Sequence, residues 1–301
     1  MNSMYHVILA GGSGSRFWPK SREDTPKQLL KILGGDTMIR LTYNRLNKIS
    51  PADHILVVVS KALSEKIQKE IPEIPRENYI IEPYGKNTAP AIGLAAIHVF
   101  KRDSEAIMGV YPADHLIIGD TKFKAVISRA QKMVEQKTSL ITIGIKPTYP
   151  ATGYGYIQYD PLQKTNMEGI RKVKTFSEKP GEETAKKFFN NGEFLWNGGM
   201  FIFKAAIILL EIKTFMPALH KSLDIINDAL STSQYETALD REWELVQEES
   251  IDYGILERSG NIYTIEADFK WNDLGSWQSL FSVLTKNKEQ NYYEGDVISL
   301  K

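Results

Sequence analysis

The strongest constraint on this chain is an alternation, up to residue 145, of short apolar runs with segments of helical period. Residues 5–10 (YHVILA), 54–59 (HILVVV), 79–82, 106–111 and 140–145 (LITIGI) are brief and apolar on consecutive positions. Such runs suit strands buried on both faces. Between them, 37–49 places Met38, Ile39, Leu41, Leu46 and Ile49 at helical spacing, and 62–69, 91–100 and 122–136 also read as helices. Strands separated by helices predict an α/β fold around a parallel sheet with right-handed crossovers. In such sheets ligands bind beyond the carboxyl ends of the strands, so the residues just after each strand carry the interest. Beyond residue 145 the pattern loosens. Residues 154–159 and 170–176 alternate like strands of an antiparallel insert. Helices are expected at 182–189, 205–215 and 275–284, and strands at 200–203 and 262–266. There is no internal repeat and no long linker.

Composition removes several kinds of chemistry. With no cysteine in the chain, disulfides, thiolate nucleophiles and Cys-ligated metal centres are excluded. Lys plus Arg and Asp plus Glu both number 37, so the formal charge is zero, which argues against a nucleic-acid partner. No run reaches the roughly 18 apolar residues of a membrane span. The start, MNSMYHVILAGG, lacks the basic opening and long apolar run of a signal peptide, so a soluble cytoplasmic protein is expected.

The first expected strand runs into Leu9-Ala10-Gly11-Gly12-Ser13-Gly14-Ser15-Arg16-Phe17-Trp18-Pro19. Gly11, Gly12 and Gly14 let backbone approach a ligand closely, and successive N–H groups in such a turn cradle anions. Arg16 adds a guanidinium able to grip phosphate oxygens, and Lys27 adds a second cation. A dinucleotide fingerprint would need a small residue where Phe17 stands, and no Gly-Lys-Ser/Thr closes the loop as in a Walker motif. Asp114 and Asp273 are distant in sequence, yet each falls just past an expected strand. Two carboxylates completed by phosphate oxygens make a suitable Mg²⁺ site. On spacing alone, either aspartate could equally be a turn residue.

The loop LAGGSGSRFWPKSREDTPKQLL resembles the signature of the sugar nucleotidylyltransferases, and its Arg-Phe-Trp-Pro and Pro-Lys-Gln wording is similar to the mannose-1-phosphate guanylyltransferase branch. The likeness continues through EPYGKNTAPAI (82–92), YPADHLI (111–117), TGYGYI (152–157), FSEKP (176–180), WNGGMFIF (196–203), SIDYGILE (250–257) and WNDLGSW (271–277). It implies a Rossmann-like, mixed but mainly parallel sheet flanked by helices, with a small antiparallel sugar-binding insert. The implied reaction joins GTP and mannose 1-phosphate into GDP-mannose and pyrophosphate. Asp114 and Asp273 are implied to bind Mg²⁺, and Arg16 and Lys27 to stabilise the charge of the reacting phosphates. Glu82, Pro83, Asn87 and Thr88 fall where the family places the base. Gly155, Glu178, Lys179 and Asn197 match positions that touch sugar hydroxyls and the sugar phosphate. For each of these a cap, a surface ion pair or a turn is the plainer alternative. Asp252 fits the family pattern, with helix capping as a sufficient role. Trp18, Trp196, Trp271 and Trp277 read as packing residues.

The resemblance also implies a transferase domain over 1–286. Residues 287–301 read as a stub leading toward the C-terminal β-helix that many members carry, a region used for dimer contacts, so a homodimer is left open. Rival readings are a nucleotidylyltransferase for another sugar 1-phosphate and a non-catalytic, GDP-mannose-binding regulatory subunit. The presence of Arg16, Lys27, Asp114 and Asp273 together speaks against the second.

Overall fold

The computed structural model describes residues 3–284, apart from 13, 33 and 166. The stub expected over 287–301 lies outside the described residues. Nine strands form one sheet in the order β3-β2-β1-β4-β9-β6-β10-β8-β7. The first four are β1 (Met4–Leu9), β2 (Ile55–Ser60), β3 (Tyr79–Glu82) and β4 (Ile107–Pro112), paired in parallel as the sequence predicts. Their side chains alternate between two cores. Ile55, Val57 and Val59 of β2 join Ile8, Tyr43, Leu46 and Phe123 on one face. Leu56 and Val58 join Val7, Ile92, Leu94 and Trp243 on the other. This two-sided burial is why these strands read as unbroken apolar runs.

On the first face lie α1 (Met38–Asn47), α2 (Ser64–Glu70) and α4 (Asp120–Gln136); on the second lies α3 (Thr88–Arg102). The start of α1 is fixed by Thr37, whose hydroxyl accepts from Arg40 N at 3.3 Å. Three further helices cover the second face beside α3: α6 (Ala205–Phe215), α7 (Pro217–Ala229) and α8 (Tyr235–Leu245). Only α6 is expected from the sequence pattern as read above. α7 buries Leu219, Leu223 and Ile226 at helical spacing and starts on Pro217, which needs no intrahelical donor there.

The second half departs from a simple parallel continuation. β9 (Phe194–Lys204) inserts between β4 and β6 (Leu140–Ile145), antiparallel to both. It is longer than the expected run at 200–203, because Gly198 and Gly199 sit inside the strand at a register shift opposite Thr142 and Gly144, with Gly199 at φ 65°. A bulge keeps the ladder going through glycines that read as a break. β10 (Ile262–Glu266) pairs in parallel with β6, and β8 (Ile170–Ser177) and β7 (Tyr156–Lys164) follow antiparallel. β7 then pairs back onto Phe194, Leu195 and Trp196 of β9, so β9, β6, β10, β8 and β7 close a ring. The antiparallel strands are therefore a continuation of the main sheet. α5 (Glu182–Asn191) lies against β9.

A separate two-stranded sheet joins β5 (Leu116–Ile118) and β11 (Lys270–Asn272). With α9 (Trp277–Val283) it encloses a small third core of Phe17, Leu30, Ile32, Met38, Leu116, Leu274 and Leu280. The glycine-rich loop rests on this core.

Candidate active site

The order β3-β2-β1-β4 reverses direction between β1 and β4, and the crevice outside their carboxyl ends is the favoured ligand position of such sheets. The glycine loop leaves β1 there and Asp114 leaves β4. Gln28, buried, donates from Nε2 to the carbonyls of Ala10 (2.9 Å) and Gly12 (2.8 Å), which pins the loop. Gly14 has φ 54°, and a methyl on it would lie 2.4 Å from the Lys27 backbone nitrogen. The loop therefore folds tightly over Lys27, whose amide donates to the Gly14 carbonyl at 3.2 Å.

Lys27 is 1% exposed. Its ammonium lies 2.9 Å from Asp114 Oδ2 and also donates to the backbone carbonyl of Asp273. The two-stranded sheet explains how residues so distant in sequence meet. Asn272 of β11 pairs with Leu116 of β5, which sets Asp273 beside the segment carrying Asp114. Asp273 is further shaped by Leu274 at φ 47°, by Gly275 N donating to Oδ1 at 3.0 Å, and by the Tyr154 hydroxyl donating to Oδ1 at 2.8 Å. Its Oδ2 faces Arg16 at 3.7 Å, and the Arg16 side chain remains 62% exposed. Arg16, Lys27, Asp114 and Asp273 thus form one cluster. Burial pushes the Asp114 carboxyl up, but Lys27 beside it, with lesser help from His115 and Arg16, outweighs this and holds it below the usual range. Burial holds His115 below the usual imidazole range, and its Nδ1 accepts from Trp271 Nε1 at 3.2 Å. A Trp N–H only donates, so this His115 nitrogen is unprotonated.

At the end of β3, Glu82 is buried against Gly11. A methyl at Gly11 would sit 2.0 Å from Glu82 Oε1, so only glycine allows this approach. Glu82 Oε2 is buried and lacks a hydrogen-bond partner, and burial pushes the carboxyl up to about 7. Pro83 follows, half-buried. Asn87, at φ 71°, caps α3 by accepting from Thr88 N at 2.9 Å, and the Thr88 hydroxyl accepts from Ile251 N at 2.9 Å. The loop is anchored from below by Trp243, fully buried, which donates to the Tyr84 carbonyl at 2.7 Å.

A third group collects on the five-strand ring. Asn197 N donates to the Gly155 carbonyl at 2.8 Å, and Gly155 in turn abuts the Glu178 carboxylate. Lys179, at φ 43°, pairs with Glu178 at 2.5 Å. Asp252 opens a π-helical turn (Asp252–Leu256) and accepts from Asn197 Nδ2 at 2.8 Å. Ile251 holds the cap position of this turn and Asp252 is its first residue, so Asp252 stands one place past the cap. Burial first, then Glu178, push its carboxyl up to about 7. Asn87, Lys179 and Leu274 are the three non-glycine residues with positive φ among the described residues, and each adjoins one of these three groups. Such backbone strain collects where surrounding structure over-determines it, as at ligand sites. Gln28 and Tyr154 escape the residue-by-residue reading, and Asp252 enters it without its contact to Asn197. Each lies inside a resembling block, and the block was the only signal for them. Trp196 is packed between Tyr149 and Tyr154, whereas Trp18 is 73% exposed.

A family profile described as nucleotidyl transferase matches residues 5–290. The chain belongs to that family. It is 36% identical to the mannose-1-phosphate guanylyltransferase of Escherichia coli (strain K12), over all of this chain and 64% of that protein. It is also 36% identical to the mannose-1-phosphate guanylyltransferase ManC of Salmonella typhimurium (strain LT2), over 99% of this chain and 63% of the relative. The chain therefore spans somewhat under two thirds of the length of these relatives. Among solved structures it superposes with a TM-score of 0.84 and 29% identity on a Thermus thermophilus protein named mannose-1-phosphate geranyltransferase, covering 95% of this chain and 80% of that one. The nucleotidyl transferase family works on a nucleoside triphosphate and a sugar phosphate with a divalent metal. No helix among the described residues is long and apolar enough to cross a membrane.

The residues present fit a metal of one kind. Among the described residues no group of three or more His, Asp or Glu side chains could hold an ion. The cluster instead offers two carboxylates, one of which keeps Oδ2 clear of the Tyr154 and Gly275 bonds. That suits a hard cation completed by water and substrate oxygens.

Proposed function

We propose that this chain is a mannose-1-phosphate guanylyltransferase: GTP and mannose 1-phosphate give GDP-mannose and pyrophosphate. The observation that carries the reading is the buried Lys27 ammonium joined to Asp114 and Asp273 beneath a glycine loop at the switch point of the sheet. The names of relatives at 36% identity support the choice of base and sugar.

In the proposed reaction a phosphate oxygen of mannose 1-phosphate forms a bond to the α-phosphorus of GTP. The bond from that phosphorus to the oxygen bridging to the β-phosphate breaks, and its electron pair leaves with pyrophosphate. The nucleophile is already an anion, so no strong base is required. The work is to align two mutually repelling anions and to neutralise growing charge, through positioning and preorganised electrostatics. Gly11, Gly12 and Gly14 allow close approach of the nucleotide. Lys27 is rigidly held and neutralises charge at the α-phosphate. Arg16, exposed and loosely paired, is free to engage the β- and γ-phosphates. Asp114 and Asp273 would hold Mg²⁺, which supplies Lewis-acid stabilisation of phosphate oxygens when bound. Glu82, with its unpartnered oxygen, accepts from the N–H edge of guanine, beside Pro83, Asn87 and Thr88. Gly155, Glu178, Lys179 and Asn197 take the sugar phosphate, with Lys179 pairing its phosphate. Residues 1–286 are the proposed transferase domain.

The test is pyrophosphate release with Mg²⁺, crossing GTP, ATP, UTP and CTP against mannose, glucose and fucose 1-phosphates. Release with GTP plus mannose 1-phosphate alone supports the reading. Faster release with another pair replaces the proposed substrates, and none with any pair removes the proposed activity.

A further inference from the structure

We infer that Asp252 is a positioning residue that locks the Asn197 amide so that its remaining N–H, and not its oxygen, is offered to a hydroxyl of the sugar phosphate. This rests on the proposed reading of the ring as the sugar side. Asn197 Oδ1 accepts from Thr142 Oγ1 at 3.0 Å and from Gly199 N at 3.2 Å, while Nδ2 donates to Asp252 Oδ1 at 2.8 Å. A backbone N–H can only donate, and the Asp252 carboxyl in its ionised form can only accept. Flipping the amide would therefore set two donors against each other at Gly199 and two acceptors against each other at Asp252. An amide NH₂ carries two hydrogens, and one is spent on Asp252. The other is available to ligand beside Gly155 and Glu178.

Asp252 is itself held from outside the ring. The segment before it is tied to the start of α3 by three bonds: Glu249 N to Lys86 O (3.3 Å), Ala89 N to Glu249 O (3.1 Å) and Ile251 N to Thr88 Oγ1 (2.9 Å). Asp252 opens a π-helical turn, a form that recurs at functional sites. The Lys179 ammonium pairs with Glu178 and not with Asp252, and burial raises the Asp252 carboxyl. A buried carboxyl without an ion pair is costly, and the hydrogen bond from Asn197 offsets part of that cost.

The test compares Asp252→Ala and Asp252→Asn in steady-state kinetics with whichever nucleotide and sugar 1-phosphate the wild type uses. Loss of one orienting hydrogen bond corresponds to about a tenfold rise in KM for the sugar phosphate in Asp252→Ala. KM for the nucleotide stays within about twofold of wild type. Asp252→Asn, whose amide oxygen can accept the same Asn197 N–H, restores the sugar-phosphate KM to within about threefold. With 2-, 3- and 4-deoxy sugar 1-phosphates, the Asp252→Ala penalty disappears on one of them, the one lacking the hydroxyl that Asn197 contacts. An unchanged sugar-phosphate KM, an equal rise in both KM values, or a penalty that persists on every deoxy sugar overturns the inference. Wild-type turnover with a sugar other than mannose overturns the mannose assignment and leaves this comparison standing on that sugar. No wild-type turnover with any pair overturns both.

Discussion

Two regions of the site treat buried charge in opposite ways. Around the glycine loop, Lys27, Arg16, Asp114 and Asp273 compensate one another, and the Asp114 carboxyl is held low. At the end of β3 and on the five-strand ring, Glu82 and Asp252 are buried without a cation of their own and rise to about 7. Burial acts on all of these carboxyls in the same direction; the neighbouring ammonium decides the outcome. A paired cluster stays charged and preorganised, which suits stabilising a transferring phosphate. A buried carboxyl without a cation serves as a hydrogen-bonding group instead: Glu82 keeps Oε2 unpartnered, which suits recognition of a donor edge, and Asp252 accepts from Asn197, which suits orienting it. Group transfer and recognition are thus expected to separate on mutation.

The largest effect is expected at Lys27. Removing one charge-stabilising donor of this kind costs about 10²–10³-fold in turnover, so Lys27→Ala lowers kcat by that order while both KM values change little. Rapid-quench or steady-state rates with the preferred pair check this, and near-normal turnover would merge the two regions. Next comes Tyr154→Phe. It deletes the hydroxyl that orients Asp273 and keeps the ring, so the Mg²⁺ concentration for half-maximal rate rises by about 10-fold or more. A magnesium titration of initial rates reads it directly, and an unchanged requirement would separate Tyr154 from the metal site.

The smallest effect concerns stability and pH at Glu82. Its folded pKa, about 7, lies above the unfolded value of 4.5, so the folded protein holds this proton more tightly than the unfolded chain. Stability from this group is full below about 4.5 and is lost as pH rises toward 7, by roughly 1–3 kcal/mol. Asp114 runs the other way: its contribution is present above the unfolded value and is lost as pH falls. Glu82→Gln should therefore raise Tm at pH 8 relative to wild type and leave Tm at pH 5 nearly unchanged. Asp252 acts in the same direction as Glu82, so some slope persists in the variant. A Tm difference that is the same at both pH values would show that Glu82 does not titrate in this window.

Much of the parallel half of the fold was readable, because a strand buried on both faces advertises itself as an unbroken apolar run. The bounds of β3 and β6 coincide with their expected segments. The antiparallel half was harder. β9 runs through Gly198 and Gly199, and glycine marks a turn and a bulge equally well in sequence. The short strands β5 and β11 have three residues each, too few for a period to show, yet their pairing is what carries Asp273 to Asp114. Candidate residues were found where the loop chemistry was explicit: glycines, Arg16, Lys27 and the two aspartates. Asp252 was missed as a contact because its partner is Asn197, 55 residues earlier, and only the fold brings them together.

The separation of roles is tested most directly by the ratio of kcat/KM for GTP to that for ATP, measured in wild type, Lys27→Ala and Glu82→Gln. If Lys27 serves transfer and Glu82 serves the guanine edge, the ratio stands in Lys27→Ala despite its slow turnover and collapses in Glu82→Gln. A ratio preserved in Glu82→Gln, or lost in Lys27→Ala, would contradict that division.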